Sequence, residues 1–329
     1  MRRQWLTLII PALALLACSG SNLHRKYDTQ AAPEFLFEQS PSKFDCLDRT
    51  PGQFPKSLDG RLARPRFVEM PANQPPYSRT HAENVTLPAS EAPNLTIVAD
   101  ASNEVSVVGS DRKDLVMSFC ARGDGNSEAE AVDHQKQVNM TRQGTLISLN
   151  RLSPEIAPYV MSSFLLKSPA DEQLVINGSF APVEVRDMSG PVRVATSHAR
   201  AQVFNTTGLV DVDGFVIDFA GSKGNVTLTA NDEINVKITE TKFDGSFSAS
   251  AQRAVRVLLP PGFATPFVAY VNRTDDFVCR TDFCAKMRRK EAHGLYAFTY
   301  TGDGSATPDR FNLRSEEATV VIDNVTAKK

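Results

Sequence analysis

The sequence has little tryptophan, little histidine and almost no net charge. Each of these features argues against a particular class of function. Its 36 Lys and Arg and 38 Asp and Glu side chains leave a formal charge of −2. Without a basic excess, the composition does not indicate a nucleic-acid-binding protein. The only tryptophan is Trp5, inside a predicted signal peptide, so the remaining chain lacks the ring most often used to stack on sugars.

The chain also lacks the familiar motifs of catalytic and metal sites. G-x-S-x-G, H-E-x-x-H and the phosphate-binding P-loop are all absent. The five histidines are scattered, and the spacing of Cys279, Cys284 and His293 matches no common zinc pattern. The acidic run around Asp213 resembles a calcium loop, but Phe215 and Ser222 stand where oxygen ligands are needed. We therefore predict no cofactor, no metal and no catalytic residue.

Short strands of alternating apolar and polar residues recur between Ala181 and Leu259. Their apolar positions are Val183/Val185, Val192/Val194, Ala201/Val203, Val210/Val212, Ile217/Phe219, Val226/Leu228, Ile234/Val236 and Phe243/Phe247. Most of these pairs begin eight or nine residues apart, which leaves about five residues for a strand and four for a turn. The alternation predicts strands with one buried and one exposed side.

Glycines suggest how these strands are arranged. Gly190, Gly208, Gly224 and Gly245 follow one another at intervals of 18, 16 and 21 residues, which is about two strands per interval. Glycine is favoured at corners because it tolerates positive φ. Asn-Gly hairpin turns are absent from the stretch. We predict an all-β fold, a β-solenoid of short stacked strands, with an antiparallel β-sandwich as the alternative.

Three runs in this stretch, VEVRDMSGPVRVATS, FNTTGLVDVDGFV and GNVTLTANDEINVKI, resemble the bacterial putative-adhesin domain family. The resemblance extends from NLTIVADASNEVSVVGSDRKDLVMSF to NLRSEEATVVIDNV, about three quarters of the chain. It implies a β-solenoid domain in the cell envelope. It implies no catalytic residues.

The N-terminal sequence predicts a lipoprotein signal peptide. Arg2 and Arg3 precede an apolar run, Trp5–Leu16, that is shorter than the roughly 20 residues of a membrane span. Leu15-Leu16-Ala17-Cys18 then fits a lipobox, although an ordinary secretory signal is the alternative. We predict a signal peptide over residues 1–17, lipidation of Cys18, and an anchor in the bacterial outer membrane, facing either the periplasm or the cell surface.

Residues 18–82 are rich in proline and lack strand periodicity. This pattern predicts either a tether or an extension that packs partly on the following domain. The solenoid domain is predicted over residues 83–326. Four further cysteines allow three disulfide connectivities. A local Cys279–Cys284 bridge would leave Cys46 and Cys120 as a possible second pair.

Two clusters are candidates for binding or chemistry. The basic residues Lys286, Arg288, Arg289 and Lys290 are either a solvated face or a contact for anionic lipid or polysaccharide. Arg122-Gly123-Asp124 matches an integrin-binding tripeptide, but we interpret it as a turn after a strand.

The sequence predicts a lipid-anchored envelope protein with a non-enzymatic binding, adhesive or scaffold role. Its partners would be the membrane, through the lipid, and an envelope polysaccharide or protein. One alternative is a polysaccharide-active β-helix enzyme using Asp211, Asp213, Asp218 and Lys223. The other is an envelope signalling accessory that binds a protein partner through a sheet edge.

Overall fold

The computed structural model describes residues 77–99, 103–151, 160–292, 294–302, 311–317 and 319–324. The predicted signal peptide, Cys18, Cys46 and all but the last six residues of the predicted tether lie outside these ranges. The first strand in these ranges begins at Tyr77, within residues assigned above to the tether. No helix in the described ranges is long and apolar enough to cross a membrane.

Most of the described chain is β-strand, and it contains a single α-helix, α1 (Glu128–Lys136). In chain order the strands are β1 (Tyr77–Pro88), β2 (Leu95–Ala99), β3 (Asn103–Ser110), β4 (Asp114–Gly125), β5 (Val138–Gln143), β6 (Leu146–Arg151), β7 (Val160–Pro169), β8 (Leu174–Gly178), β9 (Val183–Arg186), β10 (Val192–Phe204), β11 (Leu209–Ala220), β12 (Lys223–Lys237), β13 (Asp244–Ala251), β14 (Ala254–Leu259), β15 (Phe267–Val271), β16 (Phe277–Arg280), β17 (Arg288–Ala292), β18 (Leu295–Tyr300), β19 (Phe311–Ser315) and β20 (Thr319–Asn324).

Parallel stacking builds two layers, which β10, β11 and β12 join because each bends once and contributes to both. Layer one runs in space β6, β2, β8, β10, β11, β12, β13, β19 and β15. Layer two runs β7, β3, β9, β10, β11, β12, β14, β20 and β16. The predicted solenoid is confirmed, since an antiparallel sandwich would not pair its strands in this way.

The core consists of apolar columns that run from coil to coil. One column in layer one is Ile147, Ile97, Ile176, Val194, Val212, Leu228, Ala249, Leu313 and Ala269. One column in layer two is Leu166, Val107, Val185, Val203, Phe219, Val236, Val257 and Ile322. Phe219 and Phe247 meet across the layers with ring centroids 5.6 Å apart. Every apolar position predicted from the alternation is buried in this core.

The four spaced glycines stack at one corner of the coil, as predicted. A Cβ on Gly208 would lie 2.4 Å from the Gly190 carbonyl oxygen, and one on Gly245 would lie 2.1 Å from that of Gly224. Gly224 and Gly245 also have φ values of +115° and +125°. Side chains are thus excluded both by space and by backbone conformation.

The order of coils along the stack departs from the chain order at both ends. The first coil, β2–β3, lies between β6–β7 and β8–β9. The last coil, β19–β20, lies between β13–β14 and β15–β16. Coils therefore do not stack in chain order at the two ends, where a later or earlier coil occupies the outer position.

Antiparallel strands and one helix cover the ends of the stack. At the first end, β4 pairs with β7, β1 with β4 and β5 with β6. At the second end, β18 pairs with β15 and β17 with β18. Ser127 caps α1 by accepting a hydrogen bond from the Glu130 backbone amide. Such covers reduce the exposed strand edges on which other chains could pair.

Candidate binding surfaces

The solvent side of layer one, here called the open face, presents mainly polar side chains in register. Its two outward rows are Thr96, Val175, Arg193, Asp211, Thr227, Ser248 and Asn312, and Val98, Asn177, Ala195, Asp213, Thr229, Ser250 and Arg314. Thr227 and Thr229 are exposed. Arg193 and Asp211 lie 3.6 Å apart with side chains 71% and 50% exposed, so the pair contributes little stability. The open face therefore presents a regular array of exposed and partly exposed side chains to solvent.

The solvent side of layer two, here called the network face, differs because its polar side chains bond one another. Asp218 points outward between the buried Ile217 and Phe219, yet it is only 5% exposed. Its carboxylate lies 2.6 Å from Arg200 Nε and accepts hydrogen bonds from Gln202 Nε2 at 3.2 Å and Asn235 Nδ2 at 3.0 Å. The register brings these partners together, because Gln202, Asp218 and Asn235 are neighbours on successive coils.

A second ion pair on the network face joins Glu233 and Arg256, whose closest atoms are 3.3 Å apart. Burial raises the pKa of the Glu233 carboxyl above its ordinary value of 4.5, while the Arg256 guanidinium opposes that rise. Asp232 and Asp218 add to the rise because like charges disfavour ionisation. With Arg200 and Asp218, the cluster holds two cations and two carboxylates, so it is neutral when both carboxylates are ionised.

The structure does not bring the predicted acidic candidates together. Asp211 and Asp213 lie on the open face, Asp218 lies on the network face, and Lys223 is exposed at the start of β12. Glu233 is the carboxylate that approaches Asp218, and the sequence analysis missed it. Asp218 and Asn235 are one coil apart, and Glu233 lies two residues before Asn235 on the same side of the strand. This spacing can be recognised in the sequence only when the bend in β12 is known.

The basic residues Lys286, Arg288, Arg289 and Lys290 are all exposed, as the prediction of a solvated or binding segment requires. Lys286 ends a 3-10 turn, and the other three belong to β17. β17 pairs with β18, and β18 pairs with β15, so the segment extends layer one at its second end. Charged residues on such an outer strand also discourage pairing with another chain.

Cys279 and Cys284 form the disulfide predicted from their proximity in sequence. The turn that it closes inserts Phe283 into the end of the core, 5.8 Å from the Phe267 ring and 4.6 Å from the Tyr300 ring. Cys120 is also disulfide-bonded, and Cys46 lies outside the described residues, so a Cys46–Cys120 bridge stays a prediction.

Comparisons with known proteins find distant structural neighbours only. No family model matches the chain, and no curated protein matches it. A putative cell adhesion protein from Clostridium sporogenes aligns at 9% identity and a TM-score of 0.31, over 75% of this chain and 99% of that one. A putative adhesin from Bacteroides fragilis aligns at 8% identity and a TM-score of 0.23, over 75% and 97%. Because both TM-scores are low, the description of the fold rests on the strand register alone.

The last two features are the integrin-type tripeptide and the grouping of possible metal ligands. The Arg122-Gly123-Asp124 tripeptide is not a turn but the last part of β4, where Arg122 Nε lies 2.9 Å from Asp124 Oδ1. Asp124 is buried, and a Cβ on Gly123 would collide with the backbone of α1. Across the described ranges, no three His, Cys, Asp or Glu side chains are grouped closely enough to hold a metal ion.

Proposed function

We propose that the protein is a non-enzymatic binding or adhesive protein of the bacterial cell envelope, and that the open face is its contact surface. The observation that carries this proposal is the contrast between the two outward surfaces. Charged groups of the network face are engaged with one another, whereas the open face offers exposed polar groups at fixed spacings. Neighbouring coils are about 4.8 Å apart, so a rigid array of this kind suits many simultaneous weak contacts.

The envelope location in this proposal comes from the N-terminal sequence. Lipidation of Cys18 would hold the chain at the outer membrane, and the proline-rich residues 18–82 would separate the solenoid from the lipid surface. Proteolysis of intact cells tests which side the domain faces. Loss of the domain under protease would support the cell surface, and protection would support the periplasm.

An enzymatic function has one observation in its favour, the approach of Asp218 and Glu233 on a single surface. Pairs of carboxylates on one surface are typical of enzymes that hydrolyse glycosidic bonds. However, Asp218 is nearly inaccessible and bonded to Arg200, Gln202 and Asn235, so a substrate cannot reach its oxygens without breaking that network. We therefore propose that the cluster stabilises layer two.

Binding of a protein through a sheet edge is less well supported than binding through the open face. The outer strand β17 carries Arg288, Arg289, Lys290 and Glu291 in succession. Bringing a second strand alongside would desolvate these charges, which is how natural sheets prevent edge pairing. Contact through the broad side of layer one does not require a strand to lie alongside β17.

The proposed contact surface can be tested by placing bulky charges at its centre. Thr227→Glu combined with Thr229→Glu should reduce binding of the purified chain to isolated cell envelopes by about tenfold, which corresponds to about 1.4 kcal/mol. Thr241→Glu is the matched control, because Thr241 is an exposed threonine in the turn between β12 and β13. Equal binding by the double variant and the control would contradict the proposal, provided that both unfold at the wild-type temperature.

A further inference from the structure

The register divides the basic segment between two sides of the sheet. Directly paired residues on neighbouring strands point to the same side, and successive residues alternate. Arg314 pairs with Tyr270, Tyr270 with Ala297, and Ala297 with Lys290. Lys290 therefore shares the open face with Arg314.

Arg288 lies on the same side, whereas Arg289 does not. Arg288 pairs with Thr299, which pairs with Val268, and Val268 pairs in turn with Asn312 of the other outward row, although Val268 itself is only 4% exposed. Arg289 pairs with Phe298, and Phe298 points toward the core, where its ring stacks on that of Phe277 at 4.1 Å. Three exposed cations thus converge on one end of the open face: Arg288, Lys290 and Arg314. We call this group the basic end.

The basic end surrounds a strip of the sheet whose side chains are less exposed than the three cations. With about 4.8 Å between strands, the backbones of Arg314 and Lys290 are about 14 Å apart, and those of Arg288 and Lys290 are about 7 Å apart along β17. Between them lie the half-buried ring of Tyr270 and the small, buried Ala297. Long cationic side chains therefore flank a strip of the sheet, here called the trough, that contains the less exposed aromatic ring of Tyr270.

The charge of this trough is positive. Glu316 lies 3.9 Å from Arg314, but both side chains are about half exposed, so the pair is weak. Within the described part of the chain, no acidic side chain pairs with Arg288 or Lys290. The adjoining coils present Ser248, Ser250 and Asn312, which are neutral and can both donate and accept hydrogen bonds.

We propose that the basic end binds an acidic polysaccharide whose chain lies across the strands, over Tyr270 and onto the Ser248–Ser250 region. This inference rests on the proposed function and specifies its ligand. Carboxylate or phosphate groups would meet the cations, a sugar ring would stack on Tyr270, and the hydroxyls would meet the adjoining polar side chains. A bilayer is a poorer fit, because its flat surface cannot reach a ring recessed between longer side chains.

Arg289 provides a matched control, since it neighbours Arg288 in sequence and points to the opposite side. Binding of the purified full chain to polygalacturonate, a polymer of uronic acid, is measured at low salt by calorimetry. Arg288→Glu should weaken binding about fivefold, as expected for reversal of one exposed charge, and Arg289→Glu should change it less than twofold. Raising the salt concentration should reduce the difference. Tyr270→Leu should also weaken binding, whereas Tyr270→Phe keeps the ring and should not.

Two parallel measurements separate the possible outcomes. Vesicles of one part phosphatidylglycerol to three parts phosphatidylethanolamine test the lipid alternative, and dextran tests a neutral glycan. Equal losses for Arg288→Glu and Arg289→Glu, or binding to vesicles but not to polygalacturonate, would overturn this inference. If the Thr227 and Thr229 variant loses envelope binding while Arg288→Glu does not, the open face remains the contact surface and only the basic end is excluded. If neither loses it, the proposed function fails as well.

Discussion

Leu228→Ala tests whether the apolar columns support the solenoid. Leu228 is 1% exposed and lies in its column between Val212 and Ala249. Truncating a buried leucine costs about 3 kcal/mol, because apolar contact is lost and a cavity remains. Ala249 is too small to fill that cavity without movement of the backbone. We therefore expect a cost of at least that size.

The control for this prediction is the next residue on the same strand. Thr227 is exposed on the open face, so Thr227→Ala should change the stability by no more than about 0.5 kcal/mol. For a domain of this size, 3 kcal/mol corresponds to a fall of about 6–12 °C in the unfolding temperature. Urea denaturation and thermal unfolding of the full chain measure both variants. Equal destabilisation by the two would mean that both sides of the strand are covered, and the description of layer one would be refuted.

Three other predictions address the corner, the network face and the end of the core. Gly245→Ala should destabilise the fold by more than Gly262→Ala, because both glycines have positive φ but only the Cβ at Gly245 would collide, with the Gly224 carbonyl; thermal unfolding compares them. Folding raises the pKa of the Glu233 carboxyl, so the protonated carboxyl stabilises the fold below pH 4.5, and this stabilisation is lost as the pH rises through the pKa of the folded state. In urea titrations, the stability of the wild type relative to Glu233→Gln should therefore fall over that pH range. A difference that does not change with pH would contradict the assignment. Replacing both Cys279 and Cys284 by serine should cost about 2 kcal/mol, as expected for a short closed loop, and peptide mapping without reduction should detect the bridge in the wild type.

Much of the fold could be predicted because the core columns follow directly from alternation with period two. A valine such as Val194 can reach the core only if its strand keeps that alternation. Its burial can therefore be predicted from the sequence. The irregular steps between strands also have a simple cause. Three residues separate the paired halves of β10 at its bend, from Thr196 to Arg200, whereas one separates those of β11, from Gly214 to Val216.

The order of the outer coils could not be predicted in this way. The alternation in β19–β20 shows which residues are buried, but it does not specify which coil they stack on. Phe311 packs beside Phe247, more than 60 residues earlier, because the chain first builds β15–β16 and then returns. Loop closure over such a distance leaves no local signal.

The candidate surfaces were predictable in part. Four basic residues were identified from their clustering, but only the pairing of β17 with β18 separates Arg289 from Arg288 and Lys290 and adds Arg314 to them. The Glu233–Arg256 pair escaped detection because its two members lie on different coils, where their spacing depends on the bends.

The most direct test of the central claim is to identify the surface that touches other envelope material in living cells. A photo-reactive amino acid at Thr229 samples the open face, and the same residue at Lys167, which is exposed on the outward side of layer two, samples the opposite surface. Illumination should yield crosslinked adducts from position 229 and few or none from position 167. Adducts from position 167 alone would contradict the assignment of the open face as the contact surface.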